Sequence, residues 1–182
     1  MKNFMNTNYL IGKNVDIHII NKDEVDELVD FQKEIINDMH NKEWFVPLTK
    51  EEFLAPILGK DNAYFFTHNE KNIGLLVLTC NIPDVLKEYQ LPSDNYMLID
   101  SIMVKDEYRG YGLQQQMLEF AYDRAIKLGM DGLVATIHPD NKYSLDNFVK
   151  QNYELLHVLT IHGGWRNIMI KKQNKTILTR EI

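Results

Sequence analysis

The chain has 182 residues, 45% of them hydrophobic, and its 26 acidic and 20 basic side chains leave a formal charge of −6. That is enough apolar material for one cored domain, expected over 1–172 with 173–182 as a tail. The acidic balance excludes a nucleic-acid surface and mildly favours cationic acceptors. The single cysteine, Cys80, rules out an internal disulfide and fits a reducing cytoplasm. Met1 to Asn6 lacks the apolar centre of a signal peptide, and no apolar run approaches the about 20 residues needed to span a bilayer.

In chain order, Val15 to Ile20 alternates as a first strand. Asp23 can start a helix whose apolar stripe is Val25, Leu28, Val29, Phe31, Ile35 and Ile36. Thr49-Lys50-Glu51-Glu52 is a capping-box pattern and predicts a short helix at 50–58. Ala63 to Thr67 and Ile73 to Thr79 read as a hairpin through residues 68–72. Ile82 to Ser93, with Pro83 and Pro92, reads as a loop that can hold one helical turn. Tyr96 to Val104 is rich in apolar residues, as expected of a buried strand of a mixed sheet. Leu113, Met117, Ala121, Ala125 and Leu128 then recur at the helical period up to Gly129, and Leu133 to Ile137 is another buried strand. His138-Pro139-Asp140-Asn141 leads into a further helix. Glu154 to His162 and Trp165 to Lys171 predict a last hairpin turning at Gly163-Gly164. The result is an α/β chain with about seven strands in one mixed sheet and about four helices.

The turn Tyr108-Arg109-Gly110-Tyr111-Gly112-Leu113 carries the chemistry. It joins a strand to a helix, so backbone N–H groups are left free at the positive helix end, where an anion such as a pyrophosphate is stabilised. Gly110 and Gly112 permit close approach, and Arg109 adds a fixed charge. The lysine followed by Ser or Thr that marks a nucleoside-triphosphate loop is missing, and so is the third glycine of the dinucleotide fingerprint. The six histidines show no metal-ligand spacing, so no metal is expected.

This stretch resembles the pyrophosphate-binding signature of the GNAT superfamily of acyl-CoA-dependent N-acetyltransferases, with Arg109, Gly112 and Gln114 in its three key slots. Gln114 departs from the small residue usual there. Asn141, Ser144 and Phe148 resemble the family's next segment at the matching spacings. The resemblance implies a twisted mixed sheet whose fourth and fifth strands splay apart. Acetyl-CoA would be the co-substrate, its pantetheine arm lying against Ile102, Met103 and Val104. Its pyrophosphate would lie on Arg109, Gly110, Tyr111, Gly112, Leu113 and Gln114, and Asn141, Ser144 and Phe148 would line the cleft.

The implied reaction is direct transfer of an acetyl or short acyl group to a primary amine in a ternary complex. Asp100, a carboxylate in an apolar strand and in alternation with Ile102 and Val104, is the candidate base. Many family members place a tyrosine acid where Phe148 stands, so Ser144 and Tyr143 are the candidates to protonate the thiolate. In this fold the acceptor pocket lies between the region after the first helix and the last hairpin, which points to Glu43, Trp44, Phe45, His162 and Arg166. Glu43-Trp44-Phe45 can hold an ammonium by charge and cation–π contact, and Arg166 can bind a substrate carboxylate or pair with an acidic side chain. A small-molecule amine is the expected acceptor. A lysine- or N-terminus-modifying acetyltransferase, a non-catalytic acyl-CoA-binding module and a homodimer remain open at this point.

Overall fold

The computed structural model describes residues 4–10, 13–59 and 62–174. The tail expected at 173–182 lies outside the described residues from 175 onward. Among the described residues, eight strands form one sheet: β1 (Phe4–Leu10), β2 (Lys13–Ile19), β3 (Ala63–His68), β4 (Lys71–Thr79), β5 (Tyr96–Val104), β6 (Gly132–Ile137), β7 (Glu154–Ile161) and β8 (Gly164–Lys172). Their order is β1-β2-β3-β4-β5-β6-β8-β7. Neighbours are antiparallel except β5 and β6, which run parallel through a helical crossover. The helices are α1 (Val25–Asp38), α2 (Lys50–Leu58), α3 (Pro83–Glu88), α4 (Leu113–Lys127) and α5 (Lys142–Lys150).

Both faces of the sheet are covered, which is why its central strands read as unbroken apolar runs. Along β3, Tyr64 and Phe66 join the cluster beneath α4 and α5, whereas Phe65 turns to the cluster beneath α1 and α2. Leu76 and Leu78 repeat the first choice on β4, and Leu75 and Val77 the second. A third cluster packs Leu86 and Tyr89 of the α3 segment on Tyr96, Leu98, Val134, Ile168 and Ile170. The α1/α2 and α3 clusters lie on one face.

Local signals set most element ends. The capping box at α2 is formed in both directions: Glu52 N donates to Thr49 Oγ1 at 3.2 Å, and Thr49 N donates to Glu52 Oε2 at 2.7 Å. Before α1, Asn21 N and Nδ2 donate to Glu24 Oε2 at 3.0 and 2.7 Å, so the chain turns from Asn21 rather than from Asp23.

Three expectations are corrected. Strand β1 was not anticipated: Phe4-Met5-Asn6-Thr7-Asn8-Tyr9-Leu10 has no clear alternation, and its pairing with β2 comes from backbone hydrogen bonds available to any sequence. The segment at 82–93 carries a helix, α3, begun by Pro83 at its first position. The last hairpin turns at His162-Gly163, with φ of 51° and 76°, the primed geometry suited to strand twist; Gly164 opens β8 opposite Ile161.

Candidate active site

Pairing between β5 and β6 runs from Tyr96 opposite Gly132 to Ile99 opposite Ala135 and then stops. The two strands continue to Val104 and Ile137, so they part over their C-terminal ends. A bulge lies where they separate: Val77 of β4 faces Ser101, Leu78 faces Ile99, and Asp100 is the extra residue. Beyond the bulge, Lys105 N donates to Ile73 O at 3.0 Å. By the alternation of an antiparallel ladder, the backbone of Met103 also faces β4, while that of Ile102 and Val104 faces the gap. The Met103 side chain belongs to the α1/α2 cluster, so of the three residues expected along the arm only Ile102 and Val104 offer backbone groups to the split.

At the end of β5 the chain passes through a single 3₁₀ turn (Asp106–Tyr108) into the N-terminus of α4. Gly110 and Gly112 both have φ of 78°, and a Cβ placed on either would meet nothing within 4 Å. The backbone therefore faces open space in a conformation that side chains resist. The first helical bond runs from Gln116 N to Gly112 O, so the N–H groups of Leu113, Gln114 and Gln115 stand outside the α4 ladder. Arg109 lies beside them, with Nη1 on Asp106 Oδ1 at 2.7 Å and Nε on Val104 O at 3.2 Å. Its exposed guanidinium is thus tied to the edge of the split, and Tyr111 stands exposed next to it.

Polar contacts join α4 to α5. Gln114 Nε2 donates to Ser144 Oγ at 3.1 Å, Asn147 Nδ2 donates to Gln114 Oε1 at 2.7 Å, and Gln115 Nε2 donates to Asn147 Oδ1 at 3.2 Å. Gln114, the departure from the family pattern, is therefore a cross-helix strut. Asn141 caps α5 by accepting from Ser144 N at 3.2 Å. Phe148 is 1% exposed and meets Tyr153 edge-on at 4.8 Å, which makes it core packing rather than the wall of an open cleft. Tyr143 is 80% exposed on the outer side of α5.

On the opposite face, the bulge resets the alternation. Ile99, Ile102 and Val104 pack with the α4-side cluster, whereas Asp100 is no part of it and accepts a hydrogen bond from Thr79 Oγ1 at 3.0 Å. The supposed shared face of Asp100 with Ile102 and Val104 is thus corrected. Burial raises the Asp100 carboxyl above the usual range; the Thr79 hydrogen bond opposes this, the Glu52 charge adds to it, and His162 opposes it weakly. Tyr89, missed in the sequence, follows α3 and is almost wholly buried, with its hydroxyl 2.8 Å from His162 Nε2. Burial, then the Asp100 and Glu88 charges, push its phenol well above the ordinary range. The Val85-Leu86-Tyr89 spacing was the signal that could have placed it on a helix face.

His162 also lines a cavity of about 250 Å³, together with Glu43, Phe45, His138, Gly164 and Arg166. Four residues expected around the acceptor thus line one space, although Glu43 and Phe45 lie more than a hundred positions from His162 and Arg166. Trp44, half-buried in the 3₁₀ turn Lys42–Trp44, does not line it. Among the described residues, no cluster of three or more His, Cys, Asp or Glu is placed to hold a metal ion, and no helix is long and apolar enough to cross a membrane.

A mixed sheet split between its parallel strands, with a glycine-lined helix N-terminus at the split, is the architecture of acyltransferases of the family resembled above. The profile of the acetyltransferase (GNAT) family matches residues 29–153, and the chain belongs to that family of acyltransferases. No curated protein sequence matches the chain significantly. Its fold is similar to a GNAT-family acetyltransferase from Listeria monocytogenes, with TM-score 0.71, 13% identity and coverage of 92% of this chain and 100% of that one. It is also similar to yncA of Salmonella typhimurium, solved with its cofactor acetyl-CoA, with TM-score 0.67, 14% identity and coverage of 92% and 99%. A chain of the NatC complex bound to Gag peptide and CoA aligns with TM-score 0.69, 15% identity and coverage of 87% and 98%. Identities this low establish the fold alone.

Proposed function

We propose that this chain transfers an acetyl or short acyl group from acetyl-CoA to a primary amine of a small molecule. The observation that carries the reading is the split between β5 and β6 with the α4 N-terminus at its end. The backbone of Ile102 and the N–H of Val104 face the split and can bond an extended arm as a substitute strand, while Val104 O is held by Arg109 Nε. The N–H groups of Leu113, Gln114 and Gln115 and the charge of Arg109 suit a pyrophosphate. Both features suit the chemistry of acetyl-CoA.

Asp100 is then placed to take the proton released as the amine nitrogen bonds to the thioester carbonyl carbon, directly or through one water. Burial raises its proton affinity, which makes it a stronger base than an ordinary carboxylate. The N–H groups near Val104 stabilise the oxyanion. When the C–S bond breaks, the thiolate takes a proton to give free CoA. Ser144 is our candidate donor, because its hydroxyl accepts from Gln114 and keeps its own hydrogen to give. A thiolate of pKa about 8.5 needs little assistance. The exposed Tyr143 is left out of this scheme. Cys80, the single and unpaired cysteine, fits action in the cytoplasm.

The test is calorimetric titration with acetyl-CoA, followed by thiol release over a panel of amines that includes peptides. Micromolar binding lost in Gly112→Trp, with small amines preferred over peptides, is the expected result. Folded protein that binds no acetyl-CoA ends the proposal; preference for peptide N-termini or lysines moves it to protein modification.

A further inference from the structure

Arg166 is a full charge in the interior: it is 5% exposed, and burial lowers its proton affinity. Its partners are two neutral backbone oxygens, Trp165 O from Nη1 at 2.8 Å and Glu43 O from Nη2 at 3.1 Å. No Asp or Glu carboxylate among the described residues pairs with it. A guanidinium has five N–H donors, so three are left by these bonds. A buried cation is costly unless an anion answers it, and carbonyl dipoles offset only part of that cost. If Arg166 only tied the last hairpin to the segment after α1, a neutral donor would bridge the same two carbonyls at lower cost.

The surroundings leave room for an anion. Arg166 borders the cavity of about 250 Å³, a volume suited to a small metabolite. Gly164 keeps that room open: a Cβ there would lie 3.3 Å from Arg166 Nη1. His162 spans the two halves of the site, lining the cavity while its Nε2 meets Tyr89, whose phenol feels the Asp100 charge. Glu43 also lines the cavity, and its backbone oxygen holds Arg166 Nη2 there.

We infer that the acceptor is an amino acid-like molecule whose carboxylate binds Arg166 while its amine reaches toward Asp100. This rests on the acyl-transfer reading above and names its substrate class. The guanidinium fork matches a carboxylate through two parallel hydrogen bonds and fixes the distance at which the amine is presented.

The experiment compares matched pairs on the native protein: α- and ω-amino acids of increasing length against their primary amides, with phosphoethanolamine as the phosphate arm. Thiol release from acetyl-CoA gives kcat/KM. In parallel, the same compounds are titrated into protein without acetyl-CoA while the His138 and His162 ring signals are followed by NMR. At least one free acid should exceed its amide by about 10- to 100-fold, the usual worth of a charge-assisted pair, and should move the histidine signals where the amide does not. Arg166→Met should erase the preference and Arg166→Lys keep part of it; the native acid–amide comparison stands if either variant fails to fold. Amides used as well as acids, phosphoethanolamine preferred over every acid, or no acid either acetylated or bound would overturn the inference. In those cases acetyl-CoA binding by the native chain still upholds the transferase reading, whereas a lack of acetyl-CoA binding removes both.

Discussion

Asp100→Asn should separate activity from stability. The substitution keeps the shape and leaves an oxygen for the Thr79 hydroxyl, but removes the carboxylate we propose as the base. General-base catalysis contributes about 10²- to 10⁴-fold, or roughly 3 to 5 kcal/mol of barrier, so kcat should fall by that factor. Stability should move the other way. The carboxyl is raised because burial outweighs the Thr79 hydrogen bond, with the Glu52 charge adding to it and His162 opposing. A carboxyl raised on folding stabilises the fold fully below its unfolded pKa, and that stability is lost as pH rises through the folded pKa. At pH 7 the ionised group therefore costs stability, and the asparagine should raise Tm there but not at pH 3. The assay is thiol release against pH beside thermal melts at pH 3 and 7. Native kcat should rise along a limb above the usual carboxylate range, and the variant should lack that limb. A variant with more than a tenth of native kcat, or a lower Tm at pH 7, would refute the reasoning.

Three further outcomes are expected. Arg109→Ala should weaken acetyl-CoA about 10- to 100-fold by titration, as for loss of one charge-assisted contact, with a shallower salt dependence than native; unchanged affinity would remove Arg109 from the cradle. Gly132→Ala places a Cβ 2.2 Å from Lys171 O, a backbone atom that cannot swing aside. Urea unfolding should show a loss of about 1 to 3 kcal/mol or more, as for an overpacked core, and a neutral result would mean β6 and β8 separate easily. Thr49→Ala opens the α2 capping box and should cost about 0.5 to 2 kcal/mol by the same measurement, with acetyl-CoA affinity unchanged.

By itself the sequence determined what depends on near neighbours. Thr49 and Glu52 are three positions apart, so their box is legible as text. The Tyr108–Leu113 cradle is likewise local, because a strand, two glycines and a helical period define a helix N-terminus without reference to the rest of the fold. Apolar runs at β5 and β6 announced buried strands of a mixed sheet. Strand β1 stayed hidden because backbone pairing with β2 leaves no side-chain pattern, and α3 because its two prolines signalled a loop although Pro83 begins the helix. The face of Asp100 was misjudged because a bulge is a mismatch between two strands and cannot be seen in one. Only the tertiary structure decided the proposed acceptor side: it sets Tyr89 on His162, keeps Trp44 out of the cavity that Glu43 and Phe45 line, and leaves Arg166 buried on carbonyls, with no carboxylate paired to it among the described residues. The physical reason is distance along the chain, since contacts between residues a hundred positions apart are set by how the sheet stacks its layers.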